Sequence, residues 1–206
     1  MLWPTGDEGR AGGNLRSALW RLGRAGIDIL VSDKNSLAMS GGVLVDVHLL
    51  GAWAGRMIDG SASDEDLALV PGSIDRLDLL PGWYDEWLLM ERERLRQRVL
   101  HSLEAQSRRL VRDGRRAEGV EAAMIAVAAE PLRESAQRAL VEAHLAEGNR
   151  MEGRRAFDAY RLMLRRELGV EPDPDLAALV CGPAAGRGPR RHRLRDHVPT
   201  ARLSPN

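Results

Sequence analysis

The stretch DGRRAEG at residues 113–119 recurs as EGNRMEG at residues 147–153. Both copies keep two glycines, one arginine and one glutamate, each 34 positions apart, and Ala122 and Ala156 extend the match. A period of this length is typical of repeats that consist of two antiparallel helices. Helix pairs of that kind stack because neither helix can bury its apolar side alone. The sequence therefore predicts stacked helix pairs, with a generic helical bundle and a chance match as the alternative.

Apolar residues recur at helical spacing around both copies. Four helices are expected, at residues 83–113, 116–129, 132–147 and 151–168. They are separated by residues that end helices or favour turns, namely Gly114, Pro131, Gly148 and Asn149. Because the offset between the copies equals the tetratricopeptide period, we predict a mainly α, tetratricopeptide-like helical-repeat domain over residues 79–180. Leu140 and Ala143 are expected to be buried between its helices.

Residues 1–60 have a different pattern. The glycine-rich residues 1–13 predict a loop, after which Asn14 is expected to cap a short helix that ends at Gly26. Short apolar runs at 29–31, 37–39 and 43–47 predict a hairpin or a three-stranded ribbon. A linking helix is expected next, over residues 47–58, and then a linker over residues 61–78, with packing of Leu67, Leu69 and Val70 as the alternative. Residues 181–206, with six arginines and four prolines, predict a disordered basic tail.

Composition excludes several classes of protein. The chain has 206 residues, of which 44% are apolar and 29% charged, so it can form a hydrophobic core. The single cysteine, Cys181, excludes an intramolecular disulfide and a metal site with several thiolates. No apolar run approaches the ~18 residues that a membrane span needs. We therefore expect a soluble, cytoplasmic protein that does not contact a membrane.

Charge is balanced overall but unevenly distributed. The chain has 30 basic and 30 acidic residues, with a net charge of −5 over residues 61–180 and +5 over residues 181–206. Any contact with DNA must therefore be local.

Catalytic and metal-binding motifs are not found in the sequence. The five histidines are scattered, no HExxH or Walker-type GK[ST] occurs, and no GxGxxG follows a strand. We therefore expect a protein that is not an enzyme and that has no cofactor and no metal site.

Four segments of the second half resemble a known family. They are LLPGWYDEWLLMERERLR at 79–96, AEPLRES at 129–135, AHLAEG at 143–148 and ELGVEPDP at 167–174. Residues 79–180 are similar in these segments to the bacterial transcriptional activator domain of the Streptomyces antibiotic regulatory protein (SARP) family. The resemblance implies an all-helical, tetratricopeptide-like module, in agreement with the repeat.

The first half resembles the domain that precedes this module in the same family. NLRSALWRLGRAG at 14–26 is similar to the recognition helix of an OmpR-like winged helix, and ILVSDKNSLAMSGGVLVDV at 29–47 to its wing hairpin. In that family the winged helix begins with a four-stranded antiparallel sheet and a first helix, which this sequence does not supply. Residues 1–60 are therefore expected to form a partial winged-helix segment of one helix plus a β-hairpin.

This resemblance implies candidate DNA-binding residues. With Leu15, Leu19 and Leu22 facing inward, one outward face of the helix holds Arg16, Ser17, Trp20, Arg21 and Arg24. The planar fork of arginine suits guanine edges, and its charge suits phosphates. At the hairpin tip, Lys34 and Asn35 are candidates for contact with phosphate or the minor groove, with turn formation as the alternative.

Two further sets of residues are candidates for other contacts. The aromatic residues Trp83, Tyr84 and Trp87 predict a core or inter-domain anchor, with a ligand platform as the alternative. A second set is expected on the concave face of the stacked pairs as candidates for protein contact, namely Arg108, Arg112, Arg155 and Tyr160.

The function that follows is that of a bacterial transcriptional regulator of the SARP type. It would bind promoter DNA through the winged helix and contact RNA polymerase or another protomer through the helical module. The alternative is a truncated helical-repeat interaction protein, an adaptor or competitor without DNA binding, or a truncated product without function.

Overall fold

A computed structural model describes residues 8–33, 36–69 and 79–181 of the chain. These residues contain eight helices and one sheet of two antiparallel strands, which confirms the mainly α prediction. The elements are α1 Glu8–Arg24, β1 Leu30–Ser32, β2 Leu37–Met39, α2 Asp46–Asp59, α3 Asp64–Ala68, α4 Glu86–Arg112, α5 Arg116–Ala129, α6 Glu134–Glu147, α7 Arg150–Leu168 and α8 Pro174–Cys181. The chain divides within α2 into an N-terminal unit that ends at Trp53 and a helical unit that begins at Ala54.

The N-terminal unit contains α1 and the hairpin of β1 and β2. The strands pair in register from Leu30 with Met39 to Ser32 with Leu37. The Asp33 carboxylate closes the hairpin, because its oxygens accept hydrogen bonds from the backbone N–H and the hydroxyl of Ser36, both at 2.7 Å. Among the described residues from 9 to 40 none is buried. Backbone hydrogen bonds therefore hold this hairpin more than a core does.

The predicted hairpin is confirmed, whereas the predicted start of the helix is wrong and the three-stranded alternative is excluded. Helix α1 begins at Glu8 rather than at an Asn14 cap, and it includes Gly9, Gly12 and Gly13. Glycine costs a helix only about 1 kcal/mol per residue relative to alanine, so it lowers helix stability without excluding a helix. The apolar run at 43–47 forms no third strand of the described sheet, because α2 already begins at Asp46.

The four predicted helices of the second half are confirmed as α4 to α7, and α8 adds a fifth. The turns lie at Gly114 and Gly148, which have φ angles of 83° and 91°. Only glycine adopts this left-handed backbone conformation without strain. The repeat thus has a physical origin, since each copy supplies the glycine that lets the chain enter the second helix of a pair.

The second glycine of each copy sets the distance between paired helices. A Cβ atom on Gly119 would lie 2.8 Å from Cγ2 of Val111 and 3.1 Å from the backbone oxygen of Ser107. Helices α4 and α5 therefore approach each other more closely here than any side chain on α5 would permit.

Gly153 has the equivalent position between α6 and α7. A Cβ atom on Gly153 would lie 3.5 Å from Cδ2 of Leu145 and 3.5 Å from the backbone oxygen of Val141. These partners are 34 positions after Val111 and Ser107. The same contact is therefore built twice, with more space in the second pair.

This difference predicts opposite effects for one substitution. Gly119→Ala should lower the free energy of unfolding by about 1–3 kcal/mol, because the stiff Val111 side chain and a backbone oxygen must move. Gly153→Ala should raise it by about 0.4–1 kcal/mol, because the methyl group fits and the unfolded chain loses freedom. Urea denaturation followed by circular dichroism measures both. Equal effects of the two substitutions would contradict the packing described.

Two clusters of the core of the helical unit lie among α5 to α8, beside buried residues of α4 such as Leu100, Leu103 and Leu110. One lies between α5 and α6 and contains Val120, Ala123, Ala139, Leu140 and Ala143. The other joins α6, α7 and α8 and contains Val141, Phe157, Tyr160, Leu164 and Leu176. Leu140 and Ala143 are 8% and 0% exposed, so their predicted burial is confirmed.

The structure differs from the expected linker over residues 61–78. A capping box of Ser63 and Asp66 begins the short helix α3, and Leu67 is buried. The side-chain amide of Gln106 donates to the backbone oxygens of Leu67 and Leu69, at 3.0 and 2.9 Å. One cap and one leucine therefore suffice to pack residues 63–69 on the helical unit, while residues 70–78 lie outside the described residues.

An ion pair fastens α3 to α2 and predicts a pH dependence. The Arg56 guanidinium donates to both carboxylate oxygens of Asp66, at 2.8 and 2.6 Å, and holds the pKa of Asp66 far below its usual range. The pair thus stabilises the fold fully above the unfolded pKa of about 3.9, and this contribution is lost as the pH falls towards the lower folded pKa. Acid titration of urea midpoints should show the parent's advantage over Asp66→Asn shrinking below about pH 4. An advantage independent of pH would contradict the assignment.

Candidate functional site

The five candidate residues on α1 share one face of the helix. Arg16, Trp20 and Arg24 lie four positions apart, and Ser17 and Arg21 form the adjacent row. All five side chains are exposed, and four of them line a shallow depression of about 300 Å³, with Arg24 outside it. The structure therefore brings the predicted residues of this helix together, and we call this surface the α1 face.

The α1 face is positively charged and partly aromatic. The guanidinium carbon of Arg24 lies 5.1 Å from the centre of the Trp20 ring, a cation–π contact, and Trp20 remains 62% exposed. Arg16 and Arg21 have no acidic partner among the residues that the structure describes. Their donors are thus available to an anion, and the exposed indole offers a surface for stacking.

Lys34 and Asn35, the candidates at the hairpin tip, lie outside the described residues. The residues on either side of them, Asp33 and Ser36, are described.

The aromatic residues at the start of α4 do not anchor the core. Trp83, Tyr84 and Trp87 are 46%, 79% and 49% exposed, and the buried residue of this turn is Leu88. The core alternative predicted for them is therefore wrong. Their size and aromatic character do not show on which side of the first turn of α4 the core lies.

The candidates for protein contact fall in three different places. Arg155 is exposed on α7 and pairs with Glu152 at 2.6 Å. Tyr160 is 2% exposed, its hydroxyl donates to Glu134 at 3.3 Å, and burial raises its pKa to about 12. The prediction that Tyr160 lies at the surface and contacts a partner protein is therefore wrong. Arg108 and Arg112 instead line a groove on the helical unit.

This groove, about 580 Å³ in volume, lies between the first helices of the two pairs, and we call it the α4–α6 groove. Its α6 wall is formed by Ala139, Glu142 and Ala143, and five residues at and after the end of α2 also line it, namely Met57, Ile58, Asp59, Gly60 and Ala62. Ala139 and Glu142 are missing from the sequence predictions, and Ala143 is predicted only as a core residue. The repeat in the sequence could have identified all three. They lie 34 positions after Ala105, Arg108 and Arg109, which line the opposite wall.

The stacked helix pairs define a helical-repeat domain. Residues 51–180, well over half of the chain, match the family model of the bacterial transcriptional activator domain, so the chain belongs to this family. Membership indicates a bacterial transcriptional activator-type role, carried by a domain that is not catalytic. A comparison with curated proteins gives no match. Every helix within 8–33, 36–69 and 79–181 is too short or too polar to span a membrane.

Proposed function

We propose that the chain is a SARP-type transcriptional regulator of the bacterial cytoplasm, in which the α1 face contacts promoter DNA and the helical unit contacts RNA polymerase or another protomer. The observation that carries the DNA contact is the α1 face itself. It presents three guanidinium groups and an exposed indole on two adjacent rows of one helix.

The dimensions and chemistry of α1 suit the major groove. At 17 residues the helix is about 26 Å long, and the major groove of B-DNA admits an α-helix. Arg21 and Arg16 supply the paired donors that recognise guanine, while Arg24 and Ser17 reach phosphates. Lys34 and Asn35 belong to the same proposal as phosphate or minor-groove contacts of the wing. Residues 1–60 act in it as a partial OmpR-like winged helix.

A second candidate function uses the helical unit alone. The α4–α6 groove is a concave surface of the kind by which helical repeats bind partners. In this alternative the chain is an adaptor or a competitor of longer regulators and does not bind DNA.

DNA binding by the α1 face predicts a specific loss in one variant. Arg21→Ala should weaken binding to a direct-repeat promoter fragment by about 1–3 kcal/mol if the side chain contacts a base edge. Affinity should also fall steeply as salt rises, since phosphate contacts release counterions. Fluorescence anisotropy over a salt series measures both effects.

Arg94→Ala is the matched control, because Arg94 is an exposed arginine of the helical unit that pairs with Glu91 at 2.8 Å. It should bind DNA like the parent, and both variants should unfold like the parent. Equal binding by parent and Arg21→Ala would remove the α1 face from the proposal. Failure of the parent to bind any promoter fragment would leave the adaptor function.

A further inference from the structure

We propose that the α4–α6 groove is a binding site for a small amphipathic organic acid, in which an apolar body carries one carboxylate. The proposal concerns the helical unit only and does not rest on DNA binding by the α1 face. It commits to a free small molecule as the occupant.

The repeat itself forms the walls of the groove. Three pairs of residues that line the groove are separated by one repeat period: Ala105 and Ala139, Arg108 and Glu142, and Arg109 and Ala143. The alanines leave space where larger side chains would close the contact between α4 and α6. Equivalent positions of two repeat units thus line one groove, and one of these pairs consists of two alanines.

Size and lining suit the apolar body of such a ligand. Sites for small molecules have volumes of about 300–1,000 Å³ and mostly apolar walls with a few polar groups. The α4–α6 groove has about 580 Å³. Its apolar lining consists of Met57, Ile58, Ala62, Ala105, Val111, Ala139 and Ala143. A hydrocarbon or aromatic body would be removed from water there.

The α4 wall supplies donors for a carboxylate. Arg112 is exposed and has no acidic partner among the described residues. One helical turn earlier, Arg108 lies 3.9 Å from Glu104, whose carboxylate already binds Arg133 at 2.6 Å. Arg112 is therefore available to hold an anion, a charge-assisted contact that arginine makes well, and Arg108, with only a long ion pair to Glu104, lies on the same wall.

A buried hydroxyl in the same wall points to a polar ligand group. Ser107 is 1% exposed, lines the groove, and its Oγ has no hydrogen-bond partner among the described residues. Buried polar atoms without partners are rare and costly. Because this Oγ has less than 1 Å² of accessible surface, the Ser107 side chain must turn towards the groove before a carboxylate oxygen accepts from it. Asp59 and Glu142, which also line the groove, would repel an anion, so the acid end belongs beside Arg112 on α4.

Titration of the ¹⁵N-labelled full chain with decanoate tests the site, with decanol as the uncharged probe of equal length. Decanoate should shift the amide signals of Ala105, Ser107, Ala139 and Ala143 in a saturable way. Decanol should bind about tenfold more weakly, because it cannot make the charge-assisted contact. Equal binding of both probes, or shifts confined to the exposed residues around Trp83, would overturn the proposal.

Two variants locate the interaction within the groove. Arg112→Gln should weaken decanoate binding about tenfold and leave decanol binding unchanged, since only the charged contact is lost. Arg94→Gln, an exposed arginine of the same helix that does not line the groove, is the control and should bind like the parent. Parent-like decanoate affinity of Arg112→Gln would overturn the proposal.

Ala105→Phe should fill the groove and remove binding of both probes, and thermal unfolding verifies that this variant is folded. Retained binding by folded Ala105→Phe would also overturn the site. A chain that binds decanoate in the groove but no promoter fragment would keep this site and refute DNA binding. The two proposals therefore fail separately.

Discussion

Arg133→Met is expected to lower the free energy of unfolding by about 3–5 kcal/mol, the largest effect of any single substitution considered. The reason is the position of Glu104, which is 2% exposed on α4. Its Oε1 accepts hydrogen bonds from Nε of Arg133 at 2.6 Å and from the hydroxyl of Ser135 at 2.7 Å. Methionine keeps much of the volume of arginine but leaves the buried carboxylate without its main countercharge.

The loss extends beyond one ion pair, because Arg133 connects several groups. Its Nη1 donates to the side-chain oxygen of Gln97 at 2.6 Å, and its Nη2 lies 3.1 Å from Nδ1 of His101. Since all these partners are on α4, one arginine before α6 fixes the distance between the two helices. The α4–α6 groove lies between the same helices, so its width depends on this network.

Urea denaturation of Arg133→Met measures the effect, and two further variants control it. Arg155→Met breaks an exposed pair with Glu152 and should change stability by less than about 1 kcal/mol. Adding Glu104→Gln to Arg133→Met should recover part of the loss, because the amide carries no charge to be buried. A loss below about 1 kcal/mol in Arg133→Met would show that the buried carboxylate has other compensation.

The AEPLRES segment illustrates how much of the fold was predictable. In the sequence this segment is one of four that resemble a known family, and Pro131 is interpreted as a residue that ends a helix. The structure adds its physical role, since Arg133 and Ser135 bind Glu104, and the amide of Gln137 donates to the Pro131 oxygen at 2.8 Å. The helices of this region are predictable because apolar spacing and turn glycines are local. The network is not, because it joins residues about 30 positions apart.

The errors share a related cause. Helix α3 begins at a capping box of Ser63 and Asp66, a local pattern that the sequence predictions do not use. The bonds from Gln106 to Leu67 and Leu69 are long-range, and no local pattern reveals them. The exposure of Trp83 and the burial of Tyr160 likewise depend on tertiary packing, which the local sequence around each residue does not reveal. On α1 the spacing of five residues sufficed to group the candidate DNA contacts, since helical periodicity alone determines which residues share a face.

Leu140→Ala is expected to lower the free energy of unfolding by about 2–4 kcal/mol, the second largest effect. Leu140 is 8% exposed and packs with Val120, Ala123, Ala139 and Ala143 between α5 and α6. Three of these four neighbours are alanines, whose side chains have no rotamers with which to fill a void. The cavity should therefore persist, and the cost should combine lost burial with lost packing.

The matched control is Leu162→Ala, since Leu162 is 70% exposed on α7. This control should change stability by no more than about 0.5 kcal/mol, as surface substitutions away from special features do. Urea denaturation of both variants with an unchanged slope would show that stability, rather than the unfolded state, has changed. A loss in Leu140→Ala as small as that in the control would mean that α5 and α6 move together and fill the space that the leucine leaves. The alanine-rich contact between the two helices would then be more deformable than its packing indicates.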